Sequence, residues 1–174
     1  AVDALVRRRA AVDGVVAHVH ADPGEAEAGD TPQQDGDGDR QGCQARREQA
    51  KADALALVRY FEYYAGACDK LHGETIPYQD GYSVFTWREP HGVTGHIIPW
   101  NYPMQILGRS VTAALAMGNA AVLKPAEEAC LTALMFAEIA RQAGLPDGAL
   151  NVVPGLGAEA GAALVGHPLV RKVA

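Results

Sequence analysis

The chain has 174 residues, 48% of them hydrophobic, and carries a formal net charge of -6 at pH 7 with a pI near 5.4. This length suits one domain with a modest core. Because a negative chain repels polyphosphate, the composition disfavours nucleic acid as a partner. The sequence has no run of about 18 apolar residues and no secretory signal at its start, so we expect no membrane contact and a cytoplasmic location.

Residues 1–50 differ in character from the remainder of the chain. Apolar residues at helical spacing predict an amphipathic helix over Ala1–His20. The following stretch, Ala21–Gln44, is acidic and rich in glycine with little to bury, which predicts disorder. Three alternating aspartates in it resemble the opening of a calcium loop. Arg40 and Arg46 stand where that loop needs Gly and Glu, so we predict no metal site.

The three cysteines are widely spaced, and none forms a C-x-x-C pair that would indicate zinc or a redox dithiol. Cys43 is predicted in a polar loop, Cys68 in a helical stretch and Cys130 near a helix start. A single cysteine can be a catalytic nucleophile, but a small buried or surface residue is the more common role. We predict that all three are reduced thiols.

A helix is predicted from Lys51, ending before Gly73, with one broad apolar face. That face comprises Leu55, Leu57, Val58, Phe61 and Tyr64. The alternating segment after it contains Asp80-Gly81, a strong signal for a β-hairpin. Because a two-stranded ribbon is marginal alone, we expect it to pack on a partner.

From residue 91 onward, apolar strands alternate with amphipathic helices. The predicted strands are GVTGHIIPW, NAAVLKP, LNVVPG and VRKVA; the predicted helices are PMQILGRSVTAALAMG, CLTALMFAEIARQAG and GAEAGAALVGHP. Short connections between such elements imply right-handed crossovers. The pattern therefore predicts an α/β fold with a parallel sheet covered on both faces.

Parallel sheets bind ligands at the carboxyl ends of their strands, and the first strand runs into Asn101. Pro99 and Pro103 restrict the backbone around this asparagine. Its side-chain amide is suited to donate to a developing oxyanion. The alternative is that Asn101 caps the following helix.

The ends of the second and third strands also carry polar residues or glycines. Glu127 follows the second strand and suits the hydroxyls of an adenosine ribose, and Lys124 adds a donor. An ordinary ion pair on a solvated rim is the alternative. Beyond the third strand, Gly155, Gly157 and Gly161 permit close backbone approach at a helix start. Their spacing is one residue longer than the usual dinucleotide fingerprint, so alone it is a weak signal.

The motifs PWNYP, KPAE and PGLGAEAG, each at a successive strand end and in this order, resemble the aldehyde dehydrogenase superfamily. The resemblance runs from about Lys51 to Ala174. It implies an incomplete Rossmann-like parallel sheet with flanking helices, preceded by a helix and a β-hairpin. Residues 51–90 would then be a supporting or oligomer-contact region, and residues 91–174 a partial NAD-binding domain.

The resemblance also implies a role for each matching residue. Asn101 would stabilise the oxyanion, while Lys124 and Glu127 would hold the adenine ribose and favour NAD over NADP. Gly157 and Gly161 would lie under the adenine and at the start of the neighbouring helix. The wall beside the cofactor would be formed by Ile97, Ile98, Pro99 and Trp100.

The chain departs from the family pattern at both ends. It stops at Ala174, before the Gly-Ser turn, the Glu base and the Cys nucleophile that follow in the family. Residues 1–50 lack the expected match, through divergence or a shifted reading frame. We expect a fragment of an NAD-dependent enzyme, homo-oligomeric when complete, that oxidises an aldehyde to a carboxylic acid through a thiohemiacetal on an absent Cys. The alternative is a non-catalytic remnant that acts at most as an oligomer-interaction module.

Overall fold

The computed structural model describes residues 37–174, with side chains from residue 44 onward. The helix predicted over Ala1–His20 and most of the polar stretch Ala21–Gln44 lie outside the described residues. No helix in the described part is long and apolar enough to cross a membrane.

Helix α1 spans Asp37–Ala67 and therefore begins well before Lys51. The prediction of disorder is wrong for residues 37–44, and Cys43 lies in this helix instead of a loop. The segment QARREQAK from Gln44 onward consists of strong helix formers, which explains why the helix begins before Lys51 although this segment has no apolar face. Cys68 lies directly after the last helical residue.

The buried face of α1 differs from the predicted one at a single turn. Leu57, Val58 and Phe61 are buried as predicted and Tyr64 is half-buried, but Leu55 is 57% exposed. Asp53 is only 7% exposed, and its Oδ1 accepts hydrogen bonds from Gln49 Nε2 at 2.9 Å and Gln105 Nε2 at 2.7 Å. These two donors satisfy a carboxylate that would otherwise be costly to bury.

The predicted hairpin is confirmed. Strands β1 (Thr75–Ile76) and β2 (Val84–Phe85) pair antiparallel, and Gly81 in the connecting turn has φ 85°. A glycine is also required at residue 73, because a Cβ there would lie 2.1 Å from the Thr86 carbonyl oxygen. The ribbon exposes large apolar side chains, namely Ile76, Tyr78, Tyr82, Phe85 and Trp87.

The four remaining strands form one parallel sheet, as predicted. They are β3 (Val93–Ile98), β4 (Ala120–Pro125), β5 (Leu150–Val152) and β6 (Val170–Val173). Their spatial order is β5-β4-β3-β6, with β3 paired in parallel to both β4 and β6. The order therefore reverses at β3, as in doubly wound sheets.

Helices connect the strands and lie on both faces of the sheet. They are α2 (Pro103–Ala116), α3 (Leu131–Gln142) and α4 (Ala162–Gly166), the last preceded by a π-helical turn over Gly157–Gly161. Gly95 and His96 are neighbours on β3 and so address opposite faces. A Cβ at Gly95 would meet Leu164 of α4, whereas His96 contacts Ser110 of α2, so α2 and α4 cover different faces.

The core lies between α1, α2, α3 and the sheet. Phe61 of α1 and Phe136 of α3 are almost fully buried, and their ring centroids are 5.5 Å apart. Helix α2 approaches α1 closely at Gly108, where a Cβ would lie 2.8 Å from the Tyr60 ring. Because α2 begins just beyond Asn101, the packing of α2 on α1 holds in place the segment that follows β3.

Candidate functional site at the carboxyl ends of the strands

The predicted site residues follow three strands that are neighbours in the sheet. Asn101 follows β3, Lys124 and Glu127 lie at the end of β4, and Gly157 follows β5. Since the three strands are parallel and adjacent, their carboxyl ends form one edge. The fold therefore places all three motifs along the edge where open α/β sheets bind ligands.

Lys124 and Glu127 form a direct ion pair. Lys124 Nζ lies 2.7 Å from Glu127 Oε2, with the lysine side chain 4% exposed and the glutamate side chain 43% exposed. The pair is thus not an ordinary contact on a solvated rim, because its cation is buried under the strand end. Burial of Lys124 holds the Glu127 carboxylate in one place while leaving it accessible to a ligand.

The charge of Glu127 is stabilised by several donors. The hydrogen bond from Lys124 lowers the pKa of Glu127 most, followed by its own backbone N–H; the Lys124 charge and the Gly157 backbone amide lower it further, and partial desolvation opposes them. The carboxylate is therefore ionised throughout the neutral range. The Gly157 amide, in the turn after β5, thus acts on the Glu127 carboxylate after β4, a proximity that the sequence motifs did not reveal.

The turn over Gly157–Gly161 explains the lengthened glycine spacing. Leu156 O accepts a backbone hydrogen bond from Gly161 N at 3.4 Å, the i→i+5 bond of a π turn, besides shorter ones from Glu159 and Ala160. A π turn holds one residue more than an α turn. A Cβ added at Gly157 or Gly161 would meet nothing within 4 Å. Packing within the chain therefore does not require a glycine at either position. Gly157 is exposed, which fits a surface left open for a ligand, whereas Gly161 is buried at the start of α4.

Asn101 does not cap α2. The residue at the cap position is Tyr102, with no side-chain hydrogen bond to the helix, and proline occupies the first turn. The alternative role as a helix cap is therefore wrong, and the Asn101 side chain is exposed at the strand end.

The four residues proposed to line the cofactor have unequal exposure. Ile97 and Trp100 are 38% and 67% exposed, and Pro99 is exposed. Ile98 belongs to the core cluster instead, since strand alternation turns it inward. Three of the four side chains are thus available to a ligand.

A series of buried, hydrogen-bonded side chains runs from α2 to the sheet, and no sequence motif predicted it. Ser110 Oγ bonds to His96 Nδ1, and Thr94 Oγ1 lies 2.9 Å from His96 Nε2 and 3.0 Å from Ala120 O. A carbonyl can only accept, so the Thr94 hydroxyl donates to it and accepts from His96. Nε2 therefore carries a proton. Because the pKa of His96 is lowered to about 4, the imidazole is neutral at pH 7, and Nδ1 accepts from the Ser110 hydroxyl. In the sequence, the feature that could have indicated these hydrogen bonds is a histidine within a mostly apolar strand.

A sequence model of the aldehyde dehydrogenase family matches residues 41–174. The chain belongs to this family. The match begins ten residues before Lys51, the point where the motif-based resemblance began, and so includes much of α1.

Relatives of the chain are considerably longer than it is. A hydroxyisobutyraldehyde dehydrogenase of Mycolicibacterium austroafricanum is 55% identical over 126 residues, covering 71% of this chain and 25% of the relative. The chain therefore spans about a quarter of that length.

Solved structures of aldehyde dehydrogenases share the fold. An NAD+ complex of an aldehyde dehydrogenase from Bacillus cereus superposes with a TM-score of 0.77 at 33% identity, over 97% of this chain and 33% of that one. A structure described as an E. coli NADP dependent enzyme gives a TM-score of 0.82 at 29% identity, over 97% and 34%. The fold alone therefore does not select between the two cofactors.

His96 should make the stability of this aldehyde dehydrogenase chain depend on pH. Burial, and secondarily the Lys172 charge, lower the pKa of His96 from 6.5 to about 4. In the unfolded chain His96 binds its proton at a higher pH than in the folded chain. The stabilisation that neutral His96 gives the fold is therefore fully present above pH 6.5 and is lost as the pH falls toward 4. At pH 4.5 the loss should be about 2 to 3 kcal/mol.

Urea unfolding of wild type and His96→Gln at pH 7 and pH 4.5 tests this, because glutamine keeps a neutral donor and acceptor. The variant should lose less stability on acidification, whereas exposed His91→Gln should behave as wild type. Equal acid losses in wild type and His96→Gln would contradict the prediction.

Proposed function

We propose that the chain is the part of an NAD-dependent aldehyde dehydrogenase that holds the adenosine half of the cofactor and supplies an oxyanion donor. The supporting observation is the Glu127 carboxylate, fixed by the buried Lys124 ammonium and influenced by the Gly157 amide at the adjoining strand end. Bound NAD would accept the hydride released when the aldehyde is oxidised to a carboxylic acid.

Each residue at the sheet edge would have its own role in cofactor binding. Glu127 would accept hydrogen bonds from the ribose hydroxyls, and Lys124 would hold Glu127 in place and donate to the same sugar. Gly157 would let the adenine approach the backbone, with Ile97, Pro99 and Trp100 beside it, and Gly161 would lie at the start of the neighbouring helix. Ile98 would support this wall from the core.

Asn101 would act on the substrate. Its amide N–H would donate to the oxygen of the aldehyde as negative charge develops there. Such a donor stabilises a transition state most when it is fixed in advance, and Pro99 and Pro103 flank it for that purpose. The nucleophile is assigned to none of the three cysteines of this chain.

The purified 174-residue chain should therefore produce no NADH from aliphatic or aromatic aldehydes. Asn101 can stabilise an oxyanion only if a nucleophile generates one. The assay is run beside a Cys43, Cys68 and Cys130 triple-Ser variant and a longer version, in which the chain replaces the matching segment of a complete aldehyde dehydrogenase. NADH formation that vanishes in the triple variant would show that one of these thiols is the nucleophile. Absence of turnover in the longer version would refute the function itself.

A second candidate is a non-catalytic module that pairs with intact relatives. The exposed apolar side chains of the hairpin favour it, since patches of this kind are common at protein interfaces. Size exclusion and co-purification with a complete aldehyde dehydrogenase test this function. A chain that stays monomeric and pairs with nothing would exclude it. For either role we propose a cytoplasmic location and, for the complete enzyme, a homo-oligomer.

Glu127 should determine the preference for NAD over NADP. Its carboxylate repels a 2'-phosphate, and Glu127→Gln removes that repulsion while keeping the Lys124 cation beside the ribose. In an active longer version, the ratio of kcat/KM for NAD to that for NADP should fall at least about tenfold, which is 1.4 kcal/mol.

Glu128→Gln is the matched control, since it removes the same charge one residue away and should leave the ratio within about twofold. A wild-type preference for NADP would refute the ribose role of Glu127.

A further inference from the structure

A hydrogen bond between two side chains ties α1 to the first turn of α2. Gln105 Nε2 donates to Asp53 Oδ1 at 2.7 Å, and Gln49 Nε2 donates to the same oxygen at 2.9 Å. Asp53 is buried and Gln105 half-buried, whereas Gln49 is exposed and belongs to the same helix as Asp53. Of the two bonds, the one from Gln105 therefore joins two elements. It does so at a buried carboxylate, where a lost donor is not readily replaced by water.

This contact lies one helical turn from the proposed oxyanion donor. Asn101 precedes Gln105 by four residues, and α2 begins at Pro103 between them. One turn of an α-helix rises about 5.4 Å, so the Gln105 contact is made close to the segment that carries Asn101. A shift of the first turn of α2 would therefore move the backbone next to Asn101.

The first turn of α2 has no side-chain cap to hold it. Tyr102 occupies the cap position without a side-chain hydrogen bond, and the Ile106 amide donates to the Tyr102 carbonyl at 3.0 Å. Helix ends fray most readily where their free backbone groups lack such caps. The close approach of α2 to α1 at Gly108 comes only after this turn. The first turn thus depends on a contact from outside the helix, and Gln105 supplies one.

We infer that Asp53 is a positioning residue for the proposed oxyanion donor Asn101 and acts through Gln105. The inference rests on the proposed function and adds to it a residue from outside the sheet edge. An oxyanion donor lowers a barrier because it is aimed in advance at the charge that develops. A misplacement of about 1 Å can lower the rate by about 10². Asp53 would itself contact neither substrate nor cofactor.

Kinetics of an active longer version test this with a double substitution. Gln105→Met keeps the length and helix propensity of the side chain but cannot donate, and it should lower kcat about tenfold while KM for NAD stays within about twofold. In an Asn101→Ala background the same substitution should change kcat by less than about twofold, because the group that it positions is gone. Gln49→Met is the matched control: it removes the other donor to the same oxygen and should leave kcat within about twofold in either background.

Two substitutions at Asp53 test the same contact from the side of α1. Both hydrogen bonds end on Oδ1, so Asp53→Asn keeps an oxygen that can accept them and should retain kcat within about threefold. Asp53→Leu fills the space without an acceptor and should match the kcat loss of Gln105→Met. If Asp53→Leu does not fold, Gln105→Met still decides the question, since it leaves the carboxylate with its bond from Gln49.

Hydrogen exchange in the 174-residue chain measures the anchoring without turnover. The Ile106 amide closes the first turn of α2, and the Met117 amide, bonded to Ala113 O, lies at its far end. In Gln105→Met the Ile106 amide should exchange at least about tenfold faster than in wild type or Gln49→Met, while the Met117 amide should be unchanged. Faster exchange at both ends would indicate a loss of global stability instead.

Three results would overturn the inference. The first is a kcat or an Ile106 exchange rate in Gln105→Met equal to that of wild type. The second is the same kcat loss for Gln105→Met with and without Asn101, which would show a general effect on the fold. The third is equally faster exchange at Ile106 and Met117. An Asn101→Ala loss smaller than about tenfold would be a different failure, because it would refute the oxyanion role in the proposed function itself.

Discussion

Replacing Asn101 with alanine should lower the kcat of an active longer version by about 10² to 10³, or roughly 2.7 to 4 kcal/mol of barrier. The donor acts on charge that develops during the reaction, so kcat should fall while KM for the aldehyde changes little. NAD affinity should change little, because the polar cofactor contacts proposed for Lys124, Glu127 and Gly157 lie at other strand ends and the substitution leaves the neighbouring Trp100 in place. Steady-state kinetics with both substrates varied measures each effect.

Asn151→Ala is the matched control for this experiment. Asn151 is an exposed asparagine of β5 whose Nδ2 donates to Gly148 O at 2.8 Å, and it lies within the strand instead of at its carboxyl end. It should leave kcat within about twofold. A loss smaller than tenfold for Asn101→Ala would remove the oxyanion role.

The strand ends could be predicted because they depend on local patterns. Apolar runs bounded by glycine or proline fixed the four strands, and parallel pairing then required their carboxyl ends to share an edge. The ion pair of Lys124 with Glu127 spans three residues and was accessible to the same reasoning. The Gly157 backbone amide beside Glu127 was not, because it depends on the path of the chain after β5, which itself ends two residues short of β4.

Two predictions about α1 were wrong. One concerns a contact between distant parts of the chain, and the other a polar segment that nevertheless has a high helix propensity. Helical periodicity assigned Leu55 to the core, but the buried residue is Asp53, whose partner Gln105 is far away in sequence. The start of α1 was missed because a polar segment without an apolar face was taken as disordered. In both cases tertiary hydrogen bonds or intrinsic propensity outweighed the hydrophobic pattern.

Phe61→Ala should be the most destabilising single change considered for the chain itself. Phe61 is 2% exposed and packs its ring against Phe136, which joins α1 to α3 over the sheet. Truncation to alanine removes this contact and leaves a cavity, a change that typically costs about 3 to 5 kcal/mol. Since domains are generally stable by about 5 to 15 kcal/mol, the loss should shift the urea midpoint strongly.

Tyr63→Ala provides the control, because Tyr63 lies two residues away on the same helix and is 70% exposed. It should cost less than about 1 kcal/mol. The double variant Phe61→Ala with Phe136→Ala should be less destabilised than the sum of the single changes, since each single change already removes the ring contact. Urea unfolding followed by far-UV circular dichroism measures the free energy of unfolding of the wild type and of all four variants. Comparable losses for Phe61→Ala and Tyr63→Ala would mean that α1 does not pack on α3 through this pair, and the inward face of α1 would have to be reassigned.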